Sequence, residues 1–248
     1  MIWLLRRSDL FVAVLALAAF AGSACSPRQT GWNDAAAQRQ AEALLGHFGV
    51  AGDLTAQLSA RVAPPDAEPV SLTIHLWGAA DGRVRVAVRK VDIAVLTAVI
   101  AADGSVVAKA ERTGGWYRGP AAELLVDVQR LVAELRHGPL RHGVPVKAGA
   151  AGTLIQEQDG QPANLRLAHG LVTTKTWAGL ELTYGPERSY AGLFRAEQFT
   201  VRAKDGGGFG ARLVRFEGVP TIDPGRFVLT PPADAVWVDR DGFAAAMR

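Results

Sequence analysis

Of the residues whose type and spacing could support chemistry, Cys25 has the most distinctive setting. It is the only cysteine among 248 residues. No internal disulfide is therefore possible, and the thiol is a free group, an intermolecular crosslink or a modification site. The small residues Gly22, Ser23 and Ala24 precede it directly, as in a cleavage region at the end of a targeting segment. The histidines are His47, His75, His137, His142 and His169. No two share the four-residue spacing on a predicted helix that a zinc protease uses, and no second cysteine completes a cluster. His137 and His142 flank a Gly-Pro turn, but two imidazoles fall short of the three or four ligands a zinc site needs. A Gly-x-Ser-x-Gly nucleophile elbow is absent. Gly206, Gly207, Gly208 and Gly210 lead from one strand pattern into another, without the helix N-terminus that would hold a phosphate. They read as a hairpin tip. The carboxylates sit mostly at turns or on wet faces, and no acid–base pair stands out. These residues point away from an enzyme and imply no metal and no cofactor.

The elements around Cys25 explain its setting. Arg6 and Arg7 form a positive start, residues 10–21 are apolar, and the small residues follow. An apolar run of about a dozen residues is shorter than the roughly 20 a spanning helix needs, so residues 1–24 read as a cleaved signal peptide. Cys25 after such a segment resembles the lipobox of bacterial lipoproteins, with Gly22 where that pattern usually has an aliphatic residue. The resemblance implies acylation (palmitate or a similar chain) on Cys25 and removal of residues 1–24. Ser26, rather than Asp, implies the outer membrane, periplasmic face. Residues 25–32 read as a tether, and residues 33–248 as a single domain. The formal net charge of +3 is small and its basic residues are scattered, so nucleic acid is not an expected partner.

Within that domain the periodicity is mostly two. Apolar residues alternate with polar ones over 54–62, 70–76 and 84–89, residues 93–101 are apolar on both faces, and residues 106–110 follow a turn. Asp81–Gly82 and Asp103–Gly104 between such runs signal hairpins. Further strands are expected near 153–158, 164–168, 171–177, 180–184, 194–203 and 209–218. Asn33 or Asp34 caps a first helix ending at Gly46, and one strong helix starts at Pro120 and stops at Gly138–Pro139. The fold class is therefore mainly β with helices (α+β), an antiparallel meander with one dry face. Trp77, Trp116, Trp177 and Trp237 are read as filling the core or closing sheet edges.

The stretch GRVRVAVRKVDIAVLTAVIAADGSVVAKAERTGGWYRGPAAELL (residues 82–125) and the later IDPGRFVLTPP (residues 222–232), in this order of elements, resemble the LolA/LolB-type lipoprotein carriers. The resemblance implies an open antiparallel β half-barrel covered by one or two helices, with lipid or lipoprotein acyl chains in its cavity. The cavity residues expected from alternation are Leu72, Ile74, Leu76, Val84, Val86, Val95 and Val99, with Leu124, Val128 and Leu131 on the covering helix. The receptor member of that family carries a protruding loop with a hydrophobic tip. Its counterpart here is residues 90–93, with Val91 as candidate membrane-insertion residue. The implied function is a membrane-anchored outer-membrane lipoprotein that handles lipids or lipoproteins. The alternative is a docking or scaffold lipoprotein with a filled core and an envelope protein partner.

Overall fold

Helix α1 (Asp34–Phe48) begins where the Asn33 side chain accepts a hydrogen bond from the Ala36 amide at 2.9 Å, a standard N-cap. Its buried stripe is Ala37, Ala41, Leu44 and Phe48. The helix runs through Gly46, the expected stop, and ends at Gly49, whose amide bonds the Leu45 carbonyl at 3.1 Å. Glycine inside a helix costs about 1 kcal/mol, whereas burying a phenylalanine returns about 1.5–3 kcal/mol. Burial of Phe48 decides the helix end. The computed structural model describes residues 33–246 apart from 51, 64–67, 125–127, 151, 159 and 204–207. Cys25, the signal segment and the tether lie outside the described residues. So do Pro64 and Pro65, the middle of the expected long helix, and Gly206 and Gly207.

Fifteen strands follow among the described residues: β1 (Asp53–Ala63), β2 (Val70–Gly78), β3 (Val84–Lys90), β4 (Ile93–Ile100), β5 (Ser105–Ala110), β6 (Trp116–Pro120), β7 (Val146–Ala148), β8 (Thr153–Gln158), β9 (Gln161–Ala168), β10 (Leu171–Trp177), β11 (Leu180–Tyr184), β12 (Glu187–Tyr190), β13 (Leu193–Ala196), β14 (Gln198–Ala203) and β15 (Gly208–Val219). All but β12 and β13, which pair with each other, join one antiparallel sheet in the order β6-β5-β4-β3-β2-β1-β15-β14-β11-β10-β9-β8-β7. The sheet has two free ends and is not closed into a barrel. Turns at Asp81 and Asp103 form as expected: each carboxylate accepts from the amide two residues on, at 3.1 and 2.9 Å. Register shifts between Gln57 and Leu58, Val88 and Arg89, and Val172 and Thr174 bend the sheet, as bulges do.

The expected helix from Pro120 to the Gly138–Pro139 stop differs at its start. Pro120 ends β6, where it pairs with Ser105, and an edge strand tolerates its missing N–H. Helix α2 (Ala121–Leu124) follows, then α3 (Val128–His137). Gly138, at φ +74°, stops α3, and its amide bonds the Glu134 carbonyl at 2.8 Å. A Cβ there would also lie 2.6 Å from the Phe48 ring. Helix α4 (Arg240–Ala246) was not expected and covers the β6 end, its buried Phe243 ring 5.8 Å from Tyr117. Before it, the chain closes the free β6 edge. Trp116 donates to the Val236 carbonyl and accepts from the Val238 amide, both at 2.8 Å. Among the described residues no helix is long and apolar enough to cross a membrane.

Candidate functional site

The inner face of the sheet is packed at both ends and hollow between them. At the β1–β5 end, Leu54, Ala56, Leu58 and Ala60 of β1 continue through Leu76, Val84, Val86, Leu96, Ala98, Ile100, Val106 and Ala108 into one buried cluster. Helix α3 presses onto it with Val132 and Leu135. Close approach depends on Gly78, where a Cβ would stand 2.4 Å from a Val132 methyl. Arg136 of α3 fixes this contact by donating to the Gly78 carbonyl at 3.0 Å.

At the β7–β9 end, Ala37, Ala41 and Leu44 of α1 pack on Val146, Leu154, Ala163 and Leu165. Between the two packed regions a cavity of about 460 Å³ opens between α3 and strands β10, β11, β14 and β15. Leu131 and Leu135 of α3 and Phe48 of α1 form one side. Leu171, Val172, Trp177, Leu180, Leu182, Phe199, Val201 and Phe209 form the other. Register explains their convergence: Leu182 pairs with Val201 and Val201 with Phe209, so all three share a face.

Glu134, Lys175 and Tyr184 in the wall bond one another. Lys175 donates to Glu134 Oε1 and, at 3.0 Å, to the Pro139 carbonyl. Tyr184 donates its hydroxyl to Glu134 Oε2 at 2.5 Å. Burial pushes the Lys175 ammonium below its ordinary pKa, against the pull of Glu134. Burial, reinforced by Glu134, pushes the Tyr184 phenol well above 10. Arg130 lies 3.6 Å over the Trp177 ring. The buried Arg195 donates to the Leu135 carbonyl at 2.5 Å, to Arg136 at 3.1 Å and to Phe48. It thus serves the C-terminal ends of both α3 and α1, where a cation is favoured. Burial lowers its pKa to about 10.

The residues expected to line a cavity are spread over three environments. Leu131 lines it. Leu76, Val84 and Val86 are buried in the filled cluster, Ile74 and Val128 pack against that cluster, and Leu72 is buried on the same sheet face. Val99 faces away from the filled cluster, and Val95, the unpaired bulge residue, is buried outside it. Val88 pairs with Leu96 and Arg85 with Val99, both on the same side of the register shift, so Leu96, Ala98 and Ile100 carry the inner face of β4. The sequence of β4 is apolar on both faces, so alternation there does not set which residues point inward. The side chain of Leu124 lies outside the described residues. Val91 occupies the β3–β4 hairpin tip, 79% exposed, with Ile93 at 61%. Its φ of 56° is rare for a β-branched residue.

Sequence reasoning missed Phe48, Glu134, Lys175, Leu182, Tyr184 and Arg195 as site residues. The bulge in β10 puts Lys175 on the same face as Val172, three positions away, which strict alternation does not show. Among the described residues no group of three or more His, Cys, Asp or Glu could hold a metal ion. His137 and His142 meet edge-on at 5.1 Å, and burial, then His142, lowers the His137 pKa.

The architecture has counterparts among solved structures. A DUF1329 family protein from Desulfovibrio piger superposes with a TM-score of 0.52 at 8% identity, over 79% of this chain and 97% of that one. A LolA superfamily protein from Nitrosomonas europaea gives 0.50 at 6% identity, over 80% and 98%. The fold is LolA/LolB-like. At these identities the likeness extends to the fold alone. No protein-family model and no curated protein sequence matches the chain.

Proposed function

We propose that this chain is a non-catalytic lipoprotein of the outer membrane, facing the periplasm and anchored through Cys25, that holds acyl chains of a lipid or lipoprotein client. The observation that carries the reading is the 460 Å³ cavity, whose lining is mostly hydrocarbon. Each buried methylene contributes about 0.8 kcal/mol, so a preformed apolar cavity is a strong site for a tail and a poor one for a polar metabolite. The LolA/LolB-like fold supports a role in lipid or lipoprotein handling. Val91 and Ile93 at an exposed tip beside Arg89 and Lys90 suit insertion among anionic headgroups. The filled half of the sheet favours a second reading, a docking lipoprotein with an envelope protein partner.

Lipid extraction of the purified full chain separates the two readings. A carrier brings non-covalent lipid through purification, and Leu182→Trp, which fills the cavity, loses it while keeping the same circular dichroism. A chain that carries no lipid and binds none when offered is not a carrier. The anchor is tested separately: Cys25→Ser releases the protein from membranes, and full membrane partitioning of that variant refutes the assignment.

A further inference from the structure

The roof and the volume of the cavity restrict the class of lipid, an inference that rests on the carrier reading above. At roughly 30 Å³ per methylene-sized unit, the volume one water occupies in the liquid, 460 Å³ holds about fifteen units. That is one long acyl chain. A neighbouring space of about 480 Å³ beyond the Glu134–Lys175 pair is lined by Arg130, His137, Arg141, His142 and Gln158, a polar wall that suits no tail. A second tail then needs space from lifting α3 or from emptying a packed cluster, and the structure opposes both.

Helix α3 is tied down at its cavity edge. Both carboxylate oxygens of Glu134 are engaged, one by Lys175 and one by Tyr184, on two different strands. Arg195 binds the last carbonyls of α3 and the end of α1 together. Lifting the helix would strand a buried ammonium and a buried guanidinium without their acceptors. At its other edge Val132 sits in the notch that Gly78 leaves, so the filled half yields no room. Lys175 and Glu134 neutralise each other within the wall, which leaves the interior to hydrocarbon. A headgroup then stays where the lining is exposed, at Ala168, His169 and Pro186.

We propose that the cavity takes a single-tailed amphiphile, a lysophospholipid or a free fatty acid, and excludes lipids that must insert two or three tails together. The test uses the full chain carrying Cys25→Ser, which removes its own acyl chains. It is incubated separately with palmitoyl-lysophosphatidylcholine, palmitate, dipalmitoylphosphatidylcholine vesicles and a tripalmitoylated Cys-Ser peptide, re-isolated, and weighed by native mass spectrometry. The expected result is one single-tailed molecule per chain, at occupancy at least tenfold above the two- and three-tailed lipids. The lysophosphatidylcholine and palmitate arms identify which headgroup is accepted. Leu182→Trp and Val201→Trp are expected to abolish that peak. Two single tails per chain, or comparable occupancy by the multi-tailed lipids, overturns the restriction while leaving the carrier reading intact. Absence of every lipid overturns the carrier reading, and the restriction with it. Undiminished binding in both tryptophan variants, with native circular dichroism, places the lipid outside the cavity and overturns the proposal.

Discussion

Strands β1–β5 and strands β10, β11 and β14 present inner faces built on the same alternation, yet the first region is solid and the second hollow. The difference lies in what each half places under α3. In the solid half, alanines at 56, 60, 98 and 108 alternate with larger residues, and Gly78 admits Val132, so helix and sheet interdigitate at core density. In the hollow half the sheet reaches the helix through two long polar side chains, Lys175 and Tyr184, which meet Glu134 at their tips. They act as struts. A single amphipathic helix thus seals a core with Val132 and Leu135 and roofs a cavity with Leu131 and Glu134. Hydrophobic patterning creates an apolar face; side-chain length and polarity decide whether it is filled.

Removing a strut is expected to have the largest effect. Glu134→Ala leaves Lys175 buried without its counter-charge and costs about 3–5 kcal/mol in urea denaturation. Glu134→Leu combined with Lys175→Met recovers most of that loss. If Glu134→Ala costs under about 1 kcal/mol, well below the cost of stranding a buried charge, the struts do not hold the roof. Next comes a direct comparison of the halves. Leu58→Ala, in the solid half with no exposed surface, costs about 3 kcal/mol, whereas Leu182→Ala, half-buried against an existing void, costs about 1 kcal/mol or less. Equal costs would mean that the two halves are packed alike.

Alkaline pH addresses the same contrast. Tyr117, in the solid half, is pushed up to about 12 by burial and its bond to Glu123, and Tyr184 is raised by burial and Glu134. Both keep a proton in the folded state after the unfolded chain has lost it, so stability falls as pH rises from 10 through 12. Lys175 has the opposite sign. Its lowered pKa releases a proton from the folded state first, so stability rises with pH in the interval below 10.5. Denaturation midpoints across that range are expected to fall less steeply above pH 10 in Tyr117→Phe, and an unchanged slope contradicts the assignment. The smallest effect is at the exposed tip. Val91→Asn, better suited to a positive φ, is expected to gain up to about 1 kcal/mol and to weaken binding to anionic vesicles, while cavity binding is unaltered.

The meander was legible in the sequence because turn chemistry and period agree there: Asp-Gly pairs separate β2 from β3 and β4 from β5, and the bounds of β8, β10 and β11 follow the pattern closely. Pro120 misled, because it suits both the first turn of a helix and an edge strand. The short strands β7, β12 and β13 have little periodicity of their own, and β13 and β14 part at Glu197, where the amide bonds Pro186 rather than a sheet neighbour. The candidate site was much less legible. Leu131 was found through helical spacing. The valines of β4 were misassigned because that strand is apolar on both faces and alternation gives no phase there, and Lys175 was hidden by the bulge in β10. The Glu134–Lys175–Tyr184 cluster joins residues 41 and 50 positions apart, a pairing that only the folded sheet reveals.

The hollow region is proposed as the binding site of an acyl tail. Crystals of the full chain carrying Cys25→Ser, grown with a lysophosphatidylcholine brominated mid-chain, test it most directly through the anomalous signal of bromine. The signal is expected between Leu131 of α3 and Leu182 of β11. Bromine found only outside the cavity, or a cavity holding only ordered water in crystals that contain the lipid, would contradict it.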